Sequence, residues 1–90
     1  MLKRTEKLNK ILDMPAELDK SQTKITIVAF NEVLIENFKG IVEYEDFYVK
    51  INTQIGNINI NGFNITMEQM TNEDILVKGV INSIDLERNN

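Results

Sequence analysis

The chain has 90 residues and a formal net charge of −4, which is enough for one domain with a single modest core. It has no cysteine and no histidine, which excludes disulfide frameworks, thiolate metal sites and the most common general base. The acidic balance argues against a nucleic-acid partner, because such modules normally carry a basic face. We therefore expect no enzyme activity, no cofactor and no metal.

Residues 1–15 are predicted to form a short basic amphipathic α-helix that ends at Pro15. Its apolar residues at helical spacing are Leu8, Ile11 and Leu12, and its basic residues are Lys3, Arg4, Lys7 and Lys10. This helix either packs on its own domain or makes a peripheral contact with a membrane or a partner. Its polarity differs from a secretory signal, and no apolar run of the chain approaches a membrane span, so a cytoplasmic location is expected.

A polar connector at 16–23 is predicted to lead into a single β-domain at 24–87. Eight short runs rich in Ile, Val, Phe and Tyr are separated there by Asn, Gly or acidic pairs. They leave no room for crossover helices, so the predicted fold is all-β, mainly short antiparallel strands in a sandwich or meander. Alternation predicts these core residues: Ile25, Ile27, Ile35, Val49, Ile51, Ile58, Ile60, Ile65, Ile75, Val77 and Ile84.

The stretch INTQIGNINING at 51–62 alternates isoleucine with asparagine. A two-residue type I′ turn at Asn61-Gly62 would pair Ile60 with Phe63 and Ile58 with Ile65. A longer loop through Gly62 would shift these pairs. In either case the isoleucines share one face and the asparagines line the solvent face. A polar surface that binds a ligand is the alternative interpretation of these asparagines.

The first predicted strand, KITIVAF at 24–30, is largely apolar on both faces. One face must enter the core, so the other face needs a cover. We predict that this strand and the N-terminal helix together form a docking site for a partner or for a second copy of the chain. The predicted docking residues are Leu8, Ile11, Leu12, Val28 and Phe30.

The order of motifs resembles the YabP/YqfC family of sporulation proteins of endospore-forming Firmicutes, most of all its YqfC branch. The resemblance covers residues 12–87 and runs through MP at 14–15, ITIV at 25–28, IENFKGIVEY at 35–44, NTQIGNININGFNI at 52–65 and EDILVKGVINSI at 73–84. The family commonly has Gly-Asn where Ala29 and Phe30 stand, histidine in place of Phe38 and proline in place of Thr23. The family-motif positions are Glu36, Asn37, Gly40, Ile41, Gly56, Gly62 and Gly79.

The resemblance implies a non-enzymatic protein made in the mother cell, which acts with a membrane protein of the sporulation programme in maturation of the spore envelope. We expect an adaptor or assembly factor, with a peripheral location at the forespore membrane as a further expectation. Two alternatives stay open: a structural protein that self-assembles at the spore surface through sheet edges, and a β-domain that binds a small ligand or glycan. Asn37 is expected to cap a turn, and Gly40 to take a positive φ before the next strand.

Overall fold

The computed structural model describes residues 22–88, which form six antiparallel strands in one sheet. The strands are β1 (Lys24–Val28), β2 (Glu32–Glu36), β3 (Phe38–Glu45), β4 (Tyr48–Thr53), β5 (Gly56–Gln69) and β6 (Asp74–Arg88). Their order across the sheet is β1-β2-β6-β5-β4-β3. The all-β prediction is confirmed for this range, which contains no helix and hence none long and apolar enough to cross a membrane. The predicted N-terminal helix lies outside the described residues.

Two strands are much longer than the sequence pattern indicated. β5 has 14 residues and β6 has 15, so four of the eight predicted runs merge into two strands. The predicted turn at Asn61-Gly62 is wrong, because both residues lie inside β5. The chain reverses instead at Gln54 and Ile55, after Thr53, which pairs with Gly56. Thr53 Oγ1 donates a hydrogen bond to Gly56 O over 2.7 Å and accepts one from the Ile55 N–H over 3.3 Å.

Because the turn lies at Gln54 and Ile55, the alternating residues of β5 pair with other residues than predicted, but the asparagines still lie on the predicted face. Ile58 pairs with Ile51 and Ile60 with Val49, so all four face the core. The intervening asparagines lie on the opposite face, as predicted: Asn57, Asn59 and Asn61. The face assignment is robust because any antiparallel register keeps a two-residue period along the strand.

The sheet must be bent, because a single residue, Asn37, connects β2 on one side of the sheet to β3 at the opposite edge. Asn37 alone separates β2 from β3, yet β2 pairs with the beginning of β6, whereas β3 connects through β4 and β5 to the end of β6. The path between those ends runs through Glu36 with Asp74, Phe38 with Thr53, Thr53 with Gly56, and Gly56 with Arg88. A straight β6 would span roughly 46 Å, whereas four strand spacings and two Cα steps allow only about 27 Å. β6 and its partner β5 are therefore bent.

The bend, which we call the crease, lies where the pairing of β5 with β6 is irregular. Register shifts occur between Asn61 and Gly62 and between Phe63 and Thr66. A Cβ atom on Gly62 would overlap Val80 O, and one on Gly79 would lie 2.9 Å from Phe63 O. Gly79 also has φ of 147°, a conformation that side chains rarely allow. The crease therefore depends on glycine at both positions.

One hydrophobic core forms between the two halves of the folded sheet. Val33, Ile35, Ile75 and Val77 from one half and Val49, Ile51, Ile58 and Ile60 from the other belong to a single buried cluster, with Ile65 and Ile81 near the crease. Eight of the predicted core residues are confirmed, and Ile25 and Ile84 pack against them partly buried. Ile27 was predicted in the core but is 43% exposed, because β1 is an edge strand with a neighbour on one side only. Val33 and Ile81 were missed.

The turn between β1 and β2 holds two non-glycine residues in left-handed conformations. Ala29 and Phe30 have φ of 50° and 51°, and the Asn31 N–H donates a 3.0 Å hydrogen bond to Val28 O. Positive φ at both central residues is the type I′ geometry that favours Asn-Gly. Each L-residue with a Cβ resists this conformation, so the turn is strained.

A matched glycine pair tests the crease. We expect Gly62→Ala to lower the free energy of unfolding by about 3 kcal/mol or more, because its Cβ can only be accommodated if backbone moves. Gly40→Ala is the control, since a Cβ there meets nothing within 4 Å and φ is not positive; its effect should stay within about 1 kcal/mol. Urea denaturation followed by circular dichroism measures both. Equal losses would contradict the crease geometry.

Relief of strain in the β1–β2 turn should stabilise the domain. The double substitution Ala29→Asn with Phe30→Gly should raise the free energy of unfolding by roughly 1–2 kcal/mol, because both new residues accept positive φ. Phe47→Gly in the β3–β4 turn is the control, because Phe47 does not have positive φ. Thermal and urea unfolding give the comparison. A double variant no more stable than the parent would show that the turn holds no such strain.

Candidate functional site

Two hairpin turns of the sheet, β1–β2 and β3–β4, meet the crease. In the β1–β2 turn, Asn31 O accepts a hydrogen bond from the Gly79 N–H over 3.1 Å, and Phe30 O accepts one from the Ile81 N–H over 2.9 Å. In the β3–β4 turn, the Gly62 N–H donates to Phe47 O over 3.0 Å and the Ile65 N–H donates to Asp46 O over 2.7 Å. The bend of the two long strands thus gathers both turns at one end of the domain.

Four large apolar side chains are exposed at this end. Phe30 is 52% exposed, Phe47 61%, Phe63 59% and Val80 56%. Phe63 and Val80 are direct cross-strand partners, and the other two sit in the hairpin turns hydrogen-bonded to the crease. We call these four residues the crease patch. Single exposed apolar residues are ordinary, but a group of aromatic residues in one place is typical of a binding surface.

Carboxylates flank the crease patch. Glu45 and Asp46 precede Phe47, and Glu32 follows the turn that carries Phe30. None of the three forms an ion pair with another residue of 22–88 at 4.0 Å or less. Next to these carboxylates, the Tyr44 hydroxyl on β3 donates a 3.0 Å hydrogen bond to Ile65 O on β5. The surface is therefore apolar at its centre and acidic at its rim, which suits a partner that is apolar with basic flanks.

The structure places two of the predicted docking residues at or next to this surface. Phe30 belongs to the crease patch, and Val28 is 51% exposed at the end of β1 that leads into the turn. β1 presents Ile25 and Ile27 towards the core side, where they pair with Ile35 and Val33. The other predicted residues, Leu8, Ile11 and Leu12, lie outside the described residues, so the joint docking site stays a prediction. Sequence reasoning missed Phe47, Phe63 and Val80.

The asparagine face forms a hydrogen-bonded network within the protein. Asn52 Nδ2 donates to Asn57 Oδ1 over 2.9 Å, the Tyr48 hydroxyl to Asn59 Oδ1 over 3.3 Å, and Asn61 Nδ2 to Ser83 Oγ over 3.2 Å. Because these side chains are half-buried and bonded to one another, a ligand would have to replace existing bonds. This arrangement favours a structural role over a ligand surface.

On the asparagine face, Lys50 of β4 forms ion pairs with residues of β3 and β6. Its Nζ lies 3.4 Å from Glu87 Oε1 on β6 and 4.0 Å from Glu43 Oε1 on β3. The hydrogen bond and charge of Glu87 raise the pKa of Lys50 above its ordinary value of 10.5. The same hydrogen bond, with the charge of Lys50, lowers the pKa of Glu87 below its ordinary value of 4.5. Both groups are thus held in their charged forms at neutral pH.

The sheet edges carry features that oppose edge-to-edge assembly. β3 is one edge strand, and its pairing with β4 has two register shifts, between Phe38 and Gly40 and between Ile41 and Glu43. It also carries Glu43 and Glu45. Bulges and charges are devices by which natural sheets avoid pairing with other chains. β1, the other edge, has only five residues.

Comparison with known proteins settles the family. A sequence description of the YabP family matches residues 19–90, which is most of the chain. This chain belongs to the YabP family. The resemblance stated from the motifs is confirmed.

This YabP-family chain is also similar to an uncharacterized protein, YqfC, of Bacillus subtilis strain 168. The two are 26% identical over 77 residues, which cover 86% of this chain and 83% of that protein. The similarity agrees with the YqfC-like motif order. No solved structure matches this chain significantly.

Three family-motif residues of this YabP-family chain lie at or just after the connection from β2 to β3. Asn37 is that connection, and Gly40 and Ile41 follow in β3. Asn37 has φ of 65°, and its side chain donates a 2.6 Å hydrogen bond to Gln22 O. The neighbouring Phe38 N–H donates to Glu73 O over 3.0 Å. The expectation for Gly40 is wrong, since φ is not positive there and the left-handed residue is Asn37. Ile41 pairs with Ile51 on the core side of β3 and is 47% exposed.

The remaining family-motif positions have structural explanations. Gly62 and Gly79 form the crease, and Gly56 begins β5 with φ of 134° where a Cβ would overlap Glu87 O. Glu36 pairs with Asp74 in the sheet, and its carboxylate lies 4.0 Å from Lys24 Nζ. The described structure therefore gives most of the motif positions a role in folding.

The Lys50–Glu87 bridge should make stability sensitive to acid. Because the folded-state pKa of Glu87 is lowered, its contribution is present above about pH 4.5 and is lost as the pH falls through the lowered value. Glu87→Gln should therefore reduce the loss of Tm measured between neutral and acidic pH. Glu73→Gln, which has no ion pair among residues 22–88, is the control. An unchanged pH profile for Glu87→Gln would refute this role.

Proposed function

We propose that this chain is a non-enzymatic adaptor or assembly factor of sporulation that binds a membrane protein through the crease patch. It acts in the mother-cell cytoplasm, at the face of the forespore membrane, during maturation of the spore envelope. Membership of the YabP family supports the sporulation role that the motif resemblance implies. The crease patch is the observation that carries the adaptor role, because it exposes four large apolar side chains together at one end of the domain.

The surface chemistry supports protein binding over catalysis. The chain has no cysteine and no histidine to act as nucleophile or base. The polar asparagine face is occupied by its own hydrogen bonds, whereas no strand or turn of residues 22–88 covers the apolar side chains of the crease patch. Aromatic side chains, Phe among them, are enriched in the cores of protein interfaces.

The charge distribution supports a membrane partner. Residues 22–88 carry five basic and ten acidic residues, a net charge of −5, whereas residues 1–13 carry a net charge of +2. A basic segment is attracted to anionic lipid headgroups, with about 1 kcal/mol for each lysine or arginine near the surface. A protein that holds its acidic body away from the bilayer and its basic segment towards it is suited to a membrane-bound partner.

Self-assembly through sheet edges is the less favoured alternative, because β3 is bulged and acidic and β1 is short. Analytical ultracentrifugation over a wide concentration range separates the two proposals. The adaptor proposal expects a monomer whose mass does not depend on concentration. A ring or lattice would support the structural alternative.

Sporulation assays with matched surface variants test the function. Phe47→Ser with Phe63→Ser removes two aromatic anchors of the crease patch and should strongly reduce the number of heat-resistant spores. The double variant should also lose crosslinking to a membrane protein identified from sporulating cells. Both side chains are mostly exposed, so the fold should be little affected.

Met70→Ser is the matched control, because Met70 is 52% exposed at the opposite end of the domain, between β5 and β6. It should leave sporulation and crosslinking intact. Immunoblotting must show equal amounts of all variants. Normal sporulation of the crease variant at equal abundance would rule out the crease patch as the functional surface.

A further inference from the structure

We infer that the N-terminal segment of the same chain, residues 1–13, docks on the crease patch through Leu8, Ile11 and Leu12. This contact concerns the free protein and deepens the proposed function, because it sets which surface a partner meets. It rests on the proposed function only for the identity of that partner. Three properties support it: the reach of the chain, the chemistry of the two surfaces and the effective concentration of the segment.

The reach is sufficient. The described chain begins at Gln22, beside Asn37, at the end of β1 far from the crease. From Gln22 to Phe30 the chain follows β1 for eight residue steps, roughly 26 Å at about 3.3 Å per step. From Leu12 to Gln22 there are ten steps, which can span about 33 Å when extended. The apolar residues of the segment can therefore return along β1 to the crease.

The chemistry of the two surfaces is complementary. On the predicted helix, Leu8, Ile11 and Leu12 would form one apolar stripe, and Phe30, Phe63 and Val80 are exposed apolar side chains that it could cover. At about 100° per residue Arg4 falls on the same face as the stripe, one turn before Leu8, and Lys7 falls beside it, whereas the crease patch is flanked by Glu32, Glu45 and Asp46. Apolar contact at the centre and opposite charges at the rim point to this segment as the occupant.

A segment of the same chain has an advantage over a second copy. Tethering through the short connecting stretch 14–21 gives an effective concentration on the order of millimolar. A second copy would have to reach that concentration in solution to compete. The same-chain contact is therefore favoured even if each individual interaction is weak.

The consequence for recognition is a composite surface. With its apolar stripe on the crease patch, the segment would turn Lys3 and Lys10 outward at the same end of the domain. A membrane partner would then meet lysines and the edge of the aromatic patch together. A partner that needs the whole patch would have to displace the segment.

Paramagnetic relaxation enhancement on the full chain tests this contact. The absence of native cysteine makes Asn9→Cys a single attachment site for a nitroxide. In the ¹⁵N-labelled protein, the amide signals of Phe30, Phe63 and Val80 should lose more than half of their intensity. Gln54 and Ile55, in the turn at the far end, should keep theirs. Broadening at the far end only, or none at the crease, would overturn the inference.

Two controls identify the occupant and the contact. A mixture of nitroxide-labelled unenriched chain with ¹⁵N-enriched unlabelled chain should show no broadening; broadening there would assign the segment to a second copy and refute the same-chain contact. Phe63→Ser should restore the crease signals, whereas Met70→Ser should not. Full broadening in Phe63→Ser would also overturn the inference. Spore counts and partner crosslinking are independent of this readout, so failure of the proposed function is distinguishable from failure of the contact.

Discussion

The close backbone approach at the crease is the constraint on which the rest of this structure depends. Gly62 leaves room for Val80 O, and Gly79 adopts a conformation that a side chain would oppose. These two positions allow β5 and β6 to bend while they remain paired. The bend places the two halves of the sheet face to face, so that one set of isoleucines and valines forms a single core.

The same bend separates the hydrogen-bonded asparagine face from the surface proposed to bind a partner. At one end it gathers the two hairpin turns and exposes Phe30, Phe47, Phe63 and Val80. On the outer face of one half, asparagine side chains are hydrogen-bonded within the protein, and Lys50 on β4 bridges to Glu43 on β3 and Glu87 on β6. Polar side chains with satisfied hydrogen bonds add little attraction for a partner, whereas exposed aromatic side chains gain much from being covered. Recognition is therefore expected at the crease.

Local sequence patterns predicted the strands and their faces because a two-residue period survives any choice of register. The isoleucines 58 and 60 were placed in the core correctly even though their partners were wrong. The Asn61-Gly62 pair was misassigned for a physical reason: Gly62 serves a contact with Val80, 18 residues away, which a local turn rule does not include. The crease patch could not be predicted for the same reason, since its members come from four separate segments that only the fold brings together.

In the β1–β2 turn, this chain differs from the Gly-Asn pair that the family resemblance implies, and the difference has a structural consequence. The family's Gly-Asn would adopt the left-handed conformations of this turn easily, whereas Ala29 and Phe30 adopt them under strain. Strained residues persist when the surrounding structure fixes them, and they are frequent at binding sites. The ring of Phe30 is 52% exposed in the crease patch, where the proposed partner would contact it.

Site-specific photocrosslinking in sporulating cells tests the central claim most directly. A benzophenone side chain at position 63 lies in the crease patch, one at position 70 lies at the far end, and one at position 59 lies on the asparagine face. The account predicts a crosslink from position 63 to an integral membrane protein and no crosslink to it from positions 59 and 70. A crosslink to such a protein from position 59 or 70, with none from position 63, would contradict it.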